Sequence, residues 1–316
     1  MADDHSWPAL PALIESSTDI ARSDDRLARR LRYAHALARF SVRLPRPLMW
    51  LGCNVLCSLL VPALRGRRRC PTMYGFDLFV RSTNGSQYYR CGFYEQGTMH
   101  VIEKCLRAGD VFVDAGASVG QMSFHAARAV GASGEVLAFE PAPDRYADLV
   151  AGIGHNGLSN VRAYRAGLAA DNGELGLYLR GSPSMADQKR TKDTLSVPVR
   201  RLDDVLAERS IQRVRFIKID VEGLEPEVLL GARQLLESPE PPIICYEYGI
   251  YRHAKPVHEL LPGYALYQLS GTAHRVSPLV EVTPPRIRAD NVFAIPRSLL
   301  GSLPRSLFAP RALPHA

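Results

Sequence analysis

Asp110-Val-Phe-Val-Asp-Ala-Gly-Ala-Ser-Val-Gly120, followed by Val136-Leu-Ala-Phe-Glu-Pro141, is the stretch that decides the fold. It reads as a buried strand, a glycine turn, a helix, and a second buried strand ending in an acid. Such a unit opens a nucleotide-binding α/β fold: glycines let backbone approach a ligand, and the acid accepts from ribose hydroxyls. A dinucleotide site needs G-x-G-x-x-G, so that the pyrophosphate rests on bare backbone at the helix start. Counting from Gly116, those positions hold Ser118 and Gln121 instead. The spacing here is Asp114-x-Gly116-x-x-x-Gly120, and an acid at the strand tip repels pyrophosphate and attracts an ammonium group. That favours S-adenosylmethionine, a zwitterion with a sulfonium and no phosphate, over NAD.

A second motif lies downstream. Arg215-Phe-Ile-Lys-Ile-Asp-Val-Glu-Gly223 is a short apolar strand with Lys218 inside it and Asp220, Glu222 and Gly223 at its C-terminal tip, where open α/β sheets bind ligands. Taken together, Asp114 to Gly120, Phe139-Glu-Pro141 and Lys218 to Gly223 resemble the FkbM-type methyltransferases over roughly residues 93–296. One departure is Ser118, where that family usually has Asn. The resemblance implies S-adenosylmethionine as cofactor and a Rossmann-like class I methyltransferase fold. That fold is α/β, with a mostly parallel seven-stranded sheet and helices on both faces. It also implies O-methylation of a hydroxyl on a sugar, glycolipid or natural product. Phe93-Tyr-Glu95 resembles the aromatic–acid pair that this family carries ahead of the first strand.

Roles follow for individual residues, each beside a plainer alternative. Asp114 anchors the cofactor's amino-acid end or caps the next helix. Gly116 and Gly120 admit the ligand or simply turn the chain, and Ser118 lies between them. Glu140 grips both ribose hydroxyls or is an acid before a proline. Asp220 faces the methionyl group or acts as general base, with Lys218 as its ion partner. Glu222 and Gly223 shape the turn, and Glu95 closes over the cofactor or serves its own helix. Glu247, ending the fifth strand, is a candidate base or substrate ligand, with His253 nearby in sequence. Gly167-Leu168, after the third strand, offers backbone to adenine. No metal site is expected, because Asp220 and Glu247 alone do not make one.

The rest of the chain sets the context. It has 316 residues, 46% hydrophobic and 22% charged, with net charge +7. Three regions are expected: a helical extension over 1–70, the catalytic domain over 71–296, and a Pro- and Arg-rich tail over 297–316. A basic amphipathic helix starts from Ser23, and the uncharged run from Pro47 to Leu64 reads first as a helix packed on the domain and second as a membrane-surface helix, which would give peripheral membrane association through 23–69. The prolines and the arginines on both sides of the run argue against a span. An acidic N-terminus and six cysteines without zinc spacing suit a cytoplasmic protein. Nucleic acid is not expected as substrate, since acids at the fourth strand tip would repel phosphate. A rival reading from another class is a non-catalytic membrane-associated module on a methyltransferase scaffold. Further expectations are a hairpin turning at Asn84-Gly85, one strand over 161–168 and one helix over 225–237.

Overall fold

The computed structural model describes residues 69–72, 74–80, 94–178, 184–185, 194–248, 256–271, 276–284, 287 and 291–310. The chain divides into two compact units, Met1–Tyr94 and Glu95–Ala316. The expected amphipathic helix, the uncharged run, Asn84-Gly85, Phe93, His253 and most of 181–193 lie outside the described residues. Among the described residues, no helix is long and apolar enough to cross a membrane.

In the first unit, β1 (Arg69–Pro71) pairs antiparallel with β2 (Asp77–Phe79). This hairpin precedes the expected one, whose turn at Asn84-Gly85 lies outside the described residues. Its connection is fixed by Thr72 Oγ1 donating to the Phe76 carbonyl at 2.6 Å, by Gly75 at φ 76°, and by an Arg69–Asp77 ion pair at 3.1 Å.

The second unit alternates strand and helix. Its elements begin with α1 (Gln96–Cys105), β3 (Val111–Ala115), α2 (Gln121–Val130), β4 (Glu135–Phe139), α3 (Pro143–His155) and β5 (Val161–Tyr164). A small sheet follows: β6 (Gly167–Leu168), β7 (Gly173–Tyr178), β8 (Ser184–Met185) and β9 (Thr194–Arg200). The chain then returns through α4 (Leu202–Glu208), β10 (Phe216–Ile219), α5 (Glu225–Leu230), α6 (Arg233–Leu236) and β11 (Ile243–Glu247). It finishes with β12 (Tyr264–Leu269), β13 (Leu279–Val282) and β14 (Asn291–Pro296).

The main sheet runs β5-β4-β3-β10-β11-β14-β12-β13. The pairs from β5 to β11 are parallel, and the three beyond β11 are antiparallel. The sheet thus has eight strands rather than the seven expected, because Leu279–Val282 adds an edge to β12. From β3 the chain winds to one side through β4 and β5, then crosses to β10 and β11 on the other. The crevice outside the C-terminal ends of β3 and β10 is the switch point at which such sheets bind ligands.

Register explains why this edge is charged. Lys218 pairs with Asp114 on one side and with Cys245 on the other. Paired residues in adjacent strands project to the same face, and side chains alternate along a strand. Asp114, Lys218, Cys245 and Glu247 therefore share one face, together with Asp220, which follows β10. Deeper on that face are Phe112 and Phe216, stacked at 5.7 Å. Val113, Ala115, Ile217, Ile219, Ile244 and Tyr246 face the other way into the main apolar core. One sheet face is thus apolar at its base and ionic at its C-terminal rim.

Two further expectations are corrected, and a third is made more specific. The run 161–168 is two strands, because pairing with β4 ends at Tyr164 and Gly167 instead pairs with Val199 of β9. The 225–237 helix breaks at Gly231. A Cβ there would lie 2.0 Å from the Ala169 carbonyl oxygen, and the carboxylate of Asp203 accepts from the Gln234 and Leu235 amides to start α6. Within the expected Pro- and Arg-rich tail, residues 297–310 are ordered onto the sheet. They form two 3-10 turns, Leu307 is buried, and Phe308 sits edge-on to Tyr267 at 5.2 Å.

Candidate functional site at the C-terminal edge of the sheet

Asp114, one residue before the end of β3, is buried. Ser123 of α2 donates to its Oδ2 at 2.6 Å, while Oδ1 is buried with no hydrogen-bond partner. Burial pushes the Asp114 carboxyl up in pKa, against the pull of the Lys218 ammonium and the Ser123 hydroxyl. A carboxylate oxygen left without a donor is costly in a folded chain. That orphan oxygen is ready to accept from a ligand ammonium.

After Asp114 the backbone folds back on itself. The Gly116 and Ala117 amides donate to the Phe139 carbonyl at 3.0 and 2.9 Å. Gly116 has φ 85°, and a Cβ on it would lie 1.9 Å from the Asp220 carbonyl oxygen. Gly120 has φ 93° at the start of α2, and a Cβ there would meet Phe124 and Leu149. Both glycines are therefore required by the chain's own packing, a demand that holds with or without ligand.

Glu140 follows β4 and is buried. Its Oε2 accepts from the Ser118 amide and its Oε1 from the Ala142 amide, each at 2.8 Å. Burial raises its pKa, with those two amides opposing the rise. Each carboxylate oxygen can accept twice, so one acceptor position per oxygen remains for a diol. The bonds also pin Ser118 at φ 51°, a backbone region that Asn, the residue usual in the similar family, tolerates better than most.

On the other side of the crevice, Lys218 is buried and donates to Asp220 Oδ2 at 2.9 Å. Burial alone would lower its pKa. The carboxylates of Asp220, Glu95 and Asp114 more than offset this and hold the ammonium charged, well above its ordinary range. Past Asp220, Glu222 sits at φ 57° and Gly223 at φ 109°. Glu225 Oε1 accepts from the Val221 and Gly223 amides at 3.3 and 3.2 Å and fixes that turn. On β11, Glu247 is half-buried. Burial, then Asp220 and Glu222, push its carboxyl up to about 8. Cys245 beside Lys218 is buried, and its thiol is held protonated well above its ordinary range.

Glu95 precedes α1 at φ 48° and is buried. Asn291, the first residue of β14, donates to Glu95 Oε2 at 2.9 Å and lies within 3.1 Å of Thr98 Oγ1. Asn291 is also the register partner of Glu247. Of the four non-glycine residues at positive φ among those described, Glu95, Ser118 and Glu222 belong to this edge. Strain gathered in this way marks sites where function sets the backbone.

The structure thus brings Glu95, Asp114, Gly116, Ser118, Gly120, Glu140, Lys218, Asp220 and Glu247 to one sheet edge. It leaves Gly167-Leu168 in the small sheet, bonded to β9. Sequence reasoning missed Ser123, Glu225 and Asn291. The polar Asn291 directly before the apolar run Val292-Phe-Ala-Ile295 was the one visible signal among them. No three His, Cys, Asp or Glu side chains among the described residues are arranged to hold a metal ion.

Residues 114–260 match the methyltransferase FkbM domain. Methyltransferase sdnD of Sordaria araneosa is 33% identical over 160 residues, covering 40% of this chain and 61% of that protein. Hexuronic acid methyltransferase AglP of Haloferax volcanii is 26% identical over 159 residues, covering 49% of this chain and 64% of that protein. The chain thus spans about three fifths of the length of these curated relatives. Among solved structures, a methyltransferase FkbM from Methylobacillus flagellatus KT is similar with a TM-score of 0.39 and 16% identity, covering 76% of this chain and 60% of that one. The motif near the end of β3, the charged rim and the matched domain coincide in position, so that the site lies where residues 114–260 are similar to the methyltransferase FkbM domain.

Proposed function

We propose that this protein is an S-adenosylmethionine-dependent O-methyltransferase acting on a hydroxyl of a sugar, glycolipid or natural product. The observation that carries the reading is the buried, unpartnered Oδ1 of Asp114, one strand away from the doubly anchored carboxylate of Glu140. That pair matches a ligand with an ammonium at one end and a ribose diol at the other.

In this reading Glu140 accepts from the ribose hydroxyls, and Asp114 from the ammonium. Glu95, held by Asn291, lines the same rim. The acceptor stands above β10 and β11, where Asp220, Glu222 and Glu247 project. Those acids favour an uncharged hydroxyl over an anionic one. When bound, the cofactor supplies a methyl already activated by the sulfonium. The chain's own part is to align the acceptor oxygen with that methyl and to exclude water. The oxygen's electron pair forms the new C–O bond, the C–S pair stays with sulfur, and the acceptor proton passes to a base. We assign that base to Glu247, because Asp220 is engaged with Lys218.

The pH dependence follows from Glu247. With its pKa at about 8, it holds its proton at neutral pH. The rate is expected to rise about tenfold per unit as pH climbs toward 8 and then to level off. Glu247→Gln should abolish the rise and cost on the order of 10²-fold in kcat. An unchanged profile in the variant would remove Glu247 as base. The linked effect on stability has the opposite sign. The contribution of this carboxyl is fully present below about 4.5 and is lost as pH rises to about 8.

The function itself is tested with purified protein, S-adenosylmethionine and a panel of neutral glycosides, uronic acids and hydroxylated polyketides, read by mass spectrometry. O-methyl products accompanied by S-adenosylhomocysteine are expected. N- or C-methyl products alone would contradict the reading.

A further inference from the structure

The opposite end of the sheet carries positive charge that the chain leaves unmatched. Arg107, between α1 and β3, and Arg213 and Arg215, between α4 and β10, lie close enough to interact outside the N-terminal ends of β3 and β10. Two carboxylates are bonded there, Asp110 and Glu240, and Arg213 engages both, at 3.5 and 2.5 Å. Asp110 also accepts from the Arg107 backbone amide at 2.8 Å. The Arg107 guanidinium donates to a neutral group, the Ser302 carbonyl, at 3.2 Å. Arg215 does likewise from Nε, to the Cys105 carbonyl at the end of α1, at 3.0 Å. Among the described residues, neither of these guanidinium groups forms an ion pair, and no hydrogen bond leaves the two terminal nitrogens of Arg215. Yet Arg215 is only 6% exposed. Burial lowers its pKa, and neighbouring Arg213 and Arg107 push the same way. Cys105 brings no counter-charge, because burial pushes its thiol up to about 12. A guanidinium stays charged even so, and a buried charge without a partner is costly. Capping the C-terminus of α1 accounts for Nε and leaves the charge unbalanced.

We propose that Arg215 and Arg107 form a binding site for an oxyanion of the phosphate class at the N-terminal edge of the sheet. Their two guanidinium groups, both without a carboxylate partner, suit a phosphate with up to two negative charges better than a carboxylate with one. The planar fork of a guanidinium also matches phosphate oxygens in pairs. Exposed Arg107 draws the anion in, and buried Arg215 holds it where water screens least. The site lies at the far ends of β3 and β10 from the nucleoside crevice, so it stands whether or not the cofactor reading does. The same phosphate chemistry is offered by a lipid headgroup and by a soluble phosphate.

The test is thermal unfolding of the intact protein with inorganic phosphate, against chloride and acetate at matched pH and ionic strength. Phosphate is expected to raise Tm by about 2–4 °C at a concentration about tenfold above its Kd, and the other two anions are not. The rise should disappear in Arg215→Met. That variant also loses the bond to Cys105, so Arg107→Gln is made beside it: its exposed position spares the fold, and phosphate affinity should fall on the order of tenfold. Arg200→Gln, which removes an arginine from the small sheet, should keep the whole response. Cosedimentation with phosphatidylglycerol vesicles separates the two sources. Weaker vesicle binding by Arg107→Gln than by the unaltered protein places the phosphate on a lipid headgroup. Equal vesicle binding, beside a lost response to inorganic phosphate, makes the ligand soluble. No rise in phosphate, equal rises in all three anions, or a full phosphate response in folded Arg107→Gln overturns the proposal and leaves Arg215 as a cap on α1.

Discussion

Gly116→Ala is expected to destabilise the protein by roughly 2–5 kcal/mol and to abolish nucleoside binding. Two costs combine. The backbone at φ 85° disfavours any Cβ, and that Cβ would lie 1.9 Å from the Asp220 carbonyl oxygen. The obstacle is backbone rather than a side chain that can swing away. Relief therefore requires the β3 and β10 tips to separate, and these tips carry Asp114 and Asp220. Gly157→Ala isolates the first cost, because Gly157 has φ 63° with nothing within 4 Å of the added atom. That variant should lose only about 1 kcal/mol. Urea denaturation of both decides the matter, and equal losses would contradict the close approach of the two tips.

Lys218→Met is expected to cost about 3–5 kcal/mol, the range for removing one partner of a buried pair. Methionine fills much of the space, so the loss is one of charge. Without the ammonium, the carboxylates of Asp220, Glu95 and Asp114 lose the cation that they hold charged. The pH dependence supports a specific check. The folded pKa of Lys218 is raised, so its stabilisation is present below the unfolded value of about 10.5 and is lost only as pH rises through the higher folded value. In the variant the remaining carboxylates set the trend, and stability should recover as acid protonates them. Denaturation midpoints across pH test this, and a variant equally weakened at all pH values would contradict an electrostatic role.

Most of the sheet was legible because its strands are short apolar runs bounded by turn residues, and parallel strands covered on both faces read that way. The acids at the tips of β3, β4 and β10 stood out against those runs. Their convergence was a matter of topology, since sheets of this class bind ligand at the strand C-termini. What lay beyond local reading was contact between distant segments. Asn291 reaches Glu95 across 196 positions of sequence, and only the antiparallel insertion of β14 beside β11 brings it there. Ser123 holds Asp114 from within an ordinary helical run. The break at Gly231 depends on the Ala169 carbonyl, which no helical period reports. Likewise, Pro and Arg composition hid the apolar anchors Leu303, Leu307 and Phe308 in the C-terminal segment. Gly116 carries a different lesson. A glycine at a strand tip was read as admitting a ligand or turning the chain, and the structure adds a further demand for it, the close approach of the Asp220 carbonyl.

Calorimetric titration with S-adenosylhomocysteine, beside NAD and an Asp114→Ala variant, tests the central claim most directly. The account predicts binding of the homocysteine compound and none of NAD. It also predicts a loss of about 10- to 100-fold in the folded variant, as expected for removing a charged hydrogen-bond acceptor. Binding unaffected by the variant, or NAD binding at this edge, would contradict the assignment of Asp114 and with it the methyltransferase reading of the site.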